Sequence, residues 1–329
     1  MQQLRMGVLG ISNHFLKRII LPVSKLDKVS IEAIASRDAV KAADFASSWS
    51  IGKHYSSYED LLADKDIDAV YIPLPNHLHA QWISKAAAAG KHILCEKPLC
   101  MTAAETEAAV AICQQNNVLL QEAFMYKYHP QWRKVQEIIR TNNIGSIQSI
   151  HTVFTYNNAS PTNIRNIKEY GGGALRDIGC YAVSVPRFLL GKEPQRVMGM
   201  LNIHPQFETD CLSSALLDFG TAHASFSVAT GAQAFQQVDI LASSGRITVH
   251  LPFNSHHDVA AKVTVDAANG TRDVFLDPVD QYGLMFDAFA DCLSSREDFL
   301  VQDNDAVLNQ KVLDALFRSA QSQAWESPG

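Results

Sequence analysis

Three side chains in this sequence are of types that can move a proton, and each stands where the chain could hold it still. Lys97 follows Ile93-Leu94-Cys95, an apolar run of strand length, and precedes Pro98. A Lys at the carboxyl end of a buried strand lies beside the crevice where open α/β sheets bind ligands. Pro98 restricts Lys97 to extended conformations, so the side chain is presented by a fixed turn. Standing alone, Glu96-Lys97-Pro98 would read as a charged surface pair after an edge strand. Asp177 and Tyr181 are four residues apart, just after Gly171-Gly172-Gly173. On a helix beginning near Leu175, that spacing puts a carboxylate and a phenol on one face. A phenol with an ordinary pKa of about 10 is a poor base. A nearby ammonium favours the phenolate and makes Tyr181 a proton donor and acceptor. The plainer reading of this pair is an Asp favoured by the helix dipole and a buried Tyr; spacing alone leaves both open.

A second set of residues suits a phosphate-bearing cofactor. Leu4 to Leu9 reads as a buried strand running into Gly10-Ile11-Ser12-Asn13-His14-Phe15, then a helical pattern to Leu26 interrupted by Pro22. Val29 to Ala35 is the next strand. Strand, Gly turn, helix and strand open a dinucleotide-binding βαβ unit, whose helix start offers N–H groups to a pyrophosphate. Gly10 stands where the tight turn needs it, but Ser12 and Phe15 occupy positions where a strict pattern has glycines. Ser12 is small enough for close backbone approach, whereas Phe15 leaves the packing of the first turn unexplained. After the second strand come Ser36-Arg37-Asp38, not an acidic residue at the tip. A hydroxyl and a guanidinium there suit a 2′-phosphate, and hence NADP over NAD. The alternative is a helix N-cap by Ser36 or Asp38 with an exposed Arg, and Asp38 leaves room for use of NAD.

The elements that would position these groups alternate through the first 123 residues. Helical patterns at Ala39 to Trp49, Tyr58 to Ala63, His77 to Ala89 and Thr102 to Gln115 separate apolar runs at Ala69 to Ile72 and Val118 to Ala123. Thr102 with Glu105 forms a capping box. Such alternation predicts a doubly wound parallel sheet. In it, Pro73-Leu74-Pro75-Asn76 and Glu96-Lys97-Pro98 sit at neighbouring strand ends. From residue 124 the rhythm changes. A helix at Pro130 to Arg140 and a strand at Ile147 to Tyr156 lead through a polar segment to the glycines. Seven strand-like runs follow between Gln195 and Phe275, with turns such as Ala268-Asn269-Gly270, and helices at Gln281 to Ser294 and Asn304 to Ser322 finish the chain. This predicts a mostly antiparallel sheet. Helices cover one face of it and a second copy of the chain is expected on the other. The expected domains are 1–123, which binds the dinucleotide, and 124–329, for substrate and oligomerisation.

Composition narrows the function. Hydrophobic residues make up 47% and charged residues 19%, in keeping with a soluble globular protein, and a net charge of −6 argues against nucleic acid or an anionic membrane as partner. There is no signal-peptide pattern and no apolar run of bilayer length. Six scattered cysteines without a CxxC pair read as reduced thiols, so a cytoplasmic protein is expected.

Together these motifs resemble the Gfo/Idh/MocA oxidoreductases, the glucose–fructose oxidoreductase and inositol dehydrogenase family. The resemblance rests on Gly7-Val8-Leu9-Gly10, Ser36-Arg37-Asp38, Pro75-Asn76-His77-Leu78-His79, Gly90-Lys91-His92, Cys95-Glu96-Lys97-Pro98, Glu122-Ala123-Phe124-Met125-Tyr126 with His129-Pro130-Gln131, Asn163-Ile164-Arg165, and Gly171 to Tyr181. It implies a Rossmann domain followed by an α/β domain with an open-faced sheet used to oligomerise, as a homodimer or homotetramer. It also implies that Lys97 is the catalytic lysine, with a cis bond before Pro98. Many members carry His at the position of Tyr181. Tyr there, with Ser36-Arg37 and Asn163-Ile164-Arg165, is similar to the NADP-linked branch with dihydrodiol dehydrogenase and D-xylose 1-dehydrogenase.

The expected enzyme transfers a hydride between NADP (or NAD) and a small sugar or polyol. Lys97 and Tyr181 handle the proton, Asp177 orients a substrate hydroxyl, and Arg165 binds substrate or nicotinamide. Cofactor contacts are expected from Gly10, Ile11, Ser12, Asn13, Ser36, Arg37, Pro73, Leu74, Asn76, His79, Glu96 and Lys97. Tyr282, Trp132 and Tyr156 are candidate pocket walls or plain packing residues. A keto-sugar reductase is the first alternative, and a catalytically silent NADP-binding regulator the second. A metal-dependent hydrolase is disfavoured, because His77 and His79 are two apart with no further ligands completing a site.

Overall fold

The structure, a computed structural model, describes residues 3–141, 144–295 and 303–329. The chain divides into two compact units, Met1–Phe124 with Tyr282–Val307, and Met125–Gln281 with Leu308–Gly329. The stretch Tyr282–Val307, which the sequence reading leaves in the second domain, therefore packs with the first. Aromatic contacts explain it: Phe286 meets Tyr71 edge-on at 5.3 Å and Tyr282 meets His14 at 5.5 Å. Ala306 and Val307 join the same buried cluster as Leu61, Val70 and Ile93.

The first unit is built on six parallel strands: β1 (Leu4–Leu9), β2 (Val29–Ala35), β3 (Lys53–Tyr55), β4 (Ala69–Ile72), β5 (His92–Cys95) and β6 (Leu120–Glu122). Their order is β3-β2-β1-β4-β5-β6. All four residues of β4 and the last three of β5 are buried, as expected where helices cover both faces of a parallel sheet. The order reverses between β1 and β4, which makes their carboxyl ends the topological switch point of the sheet. Helices Ala39–Ser48, Tyr58–Ala63 and Ala103–Gln115 start at Asp38, Ser57 and Thr102, whose side chains each accept a bond from the backbone N–H three residues on. Glu105 completes the last cap by accepting from the Met101 N–H at 2.9 Å. The edge strand β3 is absent from the sequence reading because Lys53-His54-Tyr55 is short and half-exposed, with no apolar alternation.

The second unit carries eight strands: β7 (Ile147–Asn157), β8 (Arg196–Ile203), β9 (Asp210–Asp218), β10 (His223–Ala229), β11 (Gly231–Ala242), β12 (Gly245–Val249), β13 (Ala261–Ala267) and β14 (Gly270–Leu276). Their order is β14-β13-β12-β11-β7-β10-β9-β8, antiparallel throughout except for the β7–β10 pair. The β13–β14 turn is the predicted one, with Gly270 at φ +100°, a conformation that L side chains rarely adopt. One face alternates into the core through Ile150, Thr152 and Phe154 of β7, Val238 and Ile240 of β11, and Val263 and Val265 of β13. Helix Pro130–Arg140 anchors with the fully buried Trp132, whose Nε1–H donates to the Pro252 carbonyl at 3.0 Å. The opposite face is rich in Ser, Thr and charged residues, with Met200 and Leu216 exposed on the β8–β9 end.

Candidate active site

In the first unit, the turn after β1 is set by Gly10 at φ +103°, with its N–H donating to the Ala35 carbonyl at 2.9 Å. A Cβ on Gly10 would lie 2.9 Å from Leu74 Cδ2 and 3.3 Å from the Tyr58 hydroxyl. Only glycine fits both that backbone and that space. Ser12 acts as the helix cap: its Oγ accepts from the Phe15 N–H at 3.1 Å and its carbonyl from the Leu16 N–H at 3.0 Å. Phe15 finds its explanation in the core. It is fully buried against Phe45 (5.8 Å) and Tyr71 (6.1 Å). Residues Phe15–Ile19 are wound as a wider π-helical turn before the α-helical Ile20–Val23. Where a third glycine would let the helix press onto the strand, a large ring fills the space and the wide turn accommodates it. Asn13 is exposed on the turn, and Ile11 is buried with its carbonyl accepting from Lys41 Nζ at 3.1 Å. Lys41, missed in the sequence, follows Asp38 by three residues and sits in the first turn of that helix.

The tip of β2 resolves the Ser36-Arg37-Asp38 alternatives in part. Asp38 is the helix N-cap, accepting from the Lys41 N–H at 3.0 Å. Ser36 is buried and its Oγ accepts from the Asp38 N–H at 3.2 Å. Arg37 is exposed, and its charge acts on the Tyr58 hydroxyl. Burial pushes the Tyr58 phenol up, with Arg37 partly offsetting it, so that hydroxyl stays protonated.

Two loops meet at the carboxyl ends of β4 and β5. Pro73 and Leu74 are buried, Asn76 and Lys97 half-buried, and the Lys97–Pro98 bond is cis. The Glu96 N–H donates to the Ile72 carbonyl at 3.1 Å, tying the loops at backbone level. His79 has no exposed surface; its Nδ1 is 2.9 Å from the Pro98 carbonyl and its Nε2 2.8 Å from the Leu74 carbonyl. Burial pushes its pKa down, against the pull of those carbonyls and of Glu96. Glu96 accepts from the Tyr71 hydroxyl at 2.7 Å and lies 3.4 Å from His14 Nε2. Burial alone would raise its pKa, but His14, Lys97 and the Tyr71 bond outweigh that and hold the carboxyl down at about 2. The first unit thus joins Gly10, Leu74, His79, Pro98, Glu96 and His14 in one contiguous set at the switch point.

In the second unit, Arg165 lies in the short helical turn Ile164–Asn166, which Asn163 caps by accepting from the Arg165 N–H at 3.0 Å. The glycines bring the backbone in close: the Gly173 N–H donates to the Arg165 carbonyl at 2.9 Å, and a Cβ on Gly172 would be 2.4 Å from that same oxygen. Leu175–Gly179 is a second π-helical turn, leading into helix Cys180–Leu190. Single π turns are frequent at functional sites. Asp177 is gripped from two sides, by Arg165 Nε at 2.9 Å and by the Tyr156 hydroxyl donating at 2.6 Å. Asp177 raises the Arg165 pKa, outweighing burial, and Tyr181 adds to it. Burial, then Asp177, drives the Tyr156 phenol far above its usual range. Tyr181 is buried among Phe154, Tyr126 and Phe253, with its hydroxyl 3.4 Å from Met125 Sδ.

Asp210 is a residue that sequence reasoning missed. Its carboxylate accepts from the Leu175 N–H and from Ser213 Oγ, both at 2.6 Å, and caps the π turn that carries Asp177. Its only signal is a carboxylate opening an otherwise apolar and hydroxylic strand.

Comparison with known proteins agrees with this geometry. Residues 4–124 match the family model of oxidoreductases with an NAD-binding Rossmann fold, and residues 132–248 match the corresponding C-terminal domain. The chain belongs to the Gfo/Idh/MocA oxidoreductase family. An uncharacterized oxidoreductase of Rhizobium meliloti is 36% identical over 335 residues, covering 99% of this chain and 100% of the relative. The D-xylose 1-dehydrogenase (NADP(+)) 2 of Haloferax volcanii is 34% identical over 322 residues, covering 97% and 98%. A 3-ketoreductase from Actinomadura kijaniata, solved in complex with NADP and TDP-benzene, superposes with a TM-score of 0.90 at 28% identity, covering 97% and 98%. The Gfo/Idh/MocA assignment makes the chain an NAD(P)-dependent oxidoreductase with a Rossmann unit and a mostly antiparallel second sheet. Among the described residues, no helix is long and apolar enough to cross a membrane.

Proposed function

We propose that this protein is an NADP-linked oxidoreductase of a sugar or other neutral polyol, and that Lys97 and Tyr181 carry the proton. One observation carries the reading: Lys97 stands on the cis turn at the end of β5, one strand from the switch point where Gly10 and Leu74 close the nucleotide loop. A nicotinamide nucleotide bound there supplies or takes up the hydride. Gly10 gives the pyrophosphate close backbone approach, and the β2 tip offers Arg37 and Ser36 to a 2′-phosphate. With Asp38 engaged as a cap, no unengaged carboxylate remains at that tip to prefer an unphosphorylated ribose. In this reading Lys97 and Tyr181 share the proton handling, the phenol giving or accepting the proton on the reacting oxygen. Asp177, fixed by Tyr156 and Arg165, orients a substrate hydroxyl, and Arg165 lends its remaining N–H groups to the substrate.

The Haloferax relative supports aldose oxidation, and the Actinomadura ketoreductase supports the reverse direction on a keto-sugar; the same residues serve both. The exposed face of the eight-stranded sheet, apolar at Met200 and Leu216, is the proposed surface for a homodimer or homotetramer. Six free cysteines, four of them buried, suit the cytoplasm. The test is Lys97→Met, assayed on a panel of aldoses, polyols and keto-sugars. Turnover should fall by about a thousandfold or more, in line with loss of general acid–base catalysis, while NADPH still binds. Wild-type turnover in this variant refutes the assignment, and NADPH binding without turnover of any panel member by the wild type favours the regulator.

A further inference from the structure

His79 opens the helix His79–Ala88 and has no exposed surface. Its ring spans two loops, with Nε2 2.8 Å from the Leu74 carbonyl and Nδ1 2.9 Å from the Pro98 carbonyl. Leu74 belongs to the loop after β4, and Pro98 is the residue next to Lys97. Proline has no N–H, so the turn that presents Lys97 lacks the backbone donor that another residue would supply there. A buried carbonyl left without a donor is costly, so the loop whose carbonyl receives the ring N–H is held where the imidazole meets it.

We propose that His79 is the positioning residue of the Lys97 turn: through its Nδ1 side it fixes the Pro98 backbone, and with it the place where the ammonium is presented. This inference rests on the assignment of Lys97 to proton handling. The role differs from direct cofactor contact, which the fully buried ring does not offer. It also makes the two sides of the ring separable. A neutral imidazole carries one N–H, so each tautomer donates to one carbonyl. An Asn amide occupies roughly the place of Nδ1 and a Gln amide roughly that of Nε2. His79→Asn therefore retains the link to Pro98, His79→Gln retains the link to Leu74, and His79→Leu retains neither.

The expected order of kcat is wild type, then His79→Asn within about threefold, then His79→Gln and His79→Leu lower by about 10- to 100-fold. That last range is the scale on which an ångström of misplacement slows a catalytic group. The Kd for NADPH should change less than kcat in the Asn and Gln variants. A merely structural contact would lower Tm in these two variants alike and leave kcat per folded molecule equal between them. Equal kcat in the Asn and Gln variants, or wild-type kcat in a folded Leu variant, overturns the proposal. Lys97→Met assayed alongside separates the two ideas: full turnover there overturns the assignment of Lys97, whereas an inactive Lys97→Met with equal Asn and Gln variants overturns only the role of His79. A readout without substrate is the rate at which pyridoxal 5′-phosphate and borohydride modify Lys97, mapped by mass spectrometry. It should be altered in His79→Gln and unchanged in His79→Asn; identical rates in both overturn the proposal.

Discussion

Arg37→Ala tests the cofactor assignment at a group whose effect should depend on a single phosphate. Arg37 is exposed at the tip of β2, while neighbouring Asp38 is engaged with the Lys41 N–H. A guanidinium that clamps a phosphate through charge-assisted hydrogen bonds contributes about 1.5–3 kcal/mol. Exposure and physiological salt screen part of this, leaving about 1–2 kcal/mol, or roughly a 5- to 30-fold change in Kd. Quenching of intrinsic fluorescence by NADPH and by NADH measures both affinities in one preparation. NADPH should bind 5- to 30-fold more weakly, by the same estimate, with NADH unchanged, and the difference should shrink as salt is raised. Equal weakening of both nucleotides would mean that the substitution disturbed the turn rather than a phosphate contact. An unchanged NADPH affinity would remove Arg37 from the site.

Gly10→Ala forces an L side chain into φ +103° and against Leu74 and Tyr58. It should cost about 1–3 kcal/mol in stability and weaken both nucleotides, read by urea unfolding and fluorescence titration. Wild-type values on both counts would show the turn to be freely remodelled. His129 is fully buried as the N-cap of helix Pro130–Arg140, accepting from the Gln131 N–H at 3.1 Å, and burial pushes its pKa down to about 4 from an ordinary 6.5. Below pH 6.5 the unfolded chain takes up a proton that the folded chain refuses, so this contribution is whole above 6.5 and is lost as pH falls toward 4. His129→Asn, which keeps a capping acceptor, should flatten that part of the stability curve by about 2 kcal/mol in urea titrations at pH 7 and pH 4.5. An acid-side slope equal to that of the wild type would contradict it.

The first unit was legible because its chemistry lies at strand ends. Apolar runs fix where a parallel strand stops, and the residue after each stop, Gly10, Ser36, Pro73 or Glu96, is then a candidate site residue by topology alone. Phe15 shows the limit of that logic. A pattern built on glycines scores it as a defect, whereas the fold converts it into a core ring by widening one helical turn. Neither π turn can be read from spacing, because an extra residue per turn is set by what the side chains pack against. Asp177 and Tyr181 illustrate the consequence: they were placed on one face of a regular helix, and the chain instead carries Asp177 on the π turn and Tyr181 in the α-helix that follows. Asp210 was illegible for another reason. Its partners, the Leu175 N–H and Ser213, come together only once β9 pairs into its sheet, and a cap supplied from 35 residues away has no local signature.

The grip on Asp177 bears on what the second unit can bind. With one oxygen facing Arg165 and the other accepting from Tyr156, the carboxylate is oriented before any substrate arrives. Each carboxylate oxygen offers two lone-pair directions, so a further hydroxyl can still donate to it. Asp177 raises the Arg165 pKa, so the guanidinium and the carboxylate facing it form a fixed dipole. An anionic group placed on it would gain little, because the guanidinium already faces a carboxylate. A neutral ring bearing adjacent hydroxyls, the proposed substrate, would meet both ends of the dipole, donating to Asp177 and accepting from Arg165. Tyr156, held protonated by burial and by Asp177, donates to the carboxylate, and so the proposed acid–base exchange falls to Tyr181. The division of labour follows from electrostatics: of the two tyrosines, the one bonded to an anion is the one that cannot act as a base.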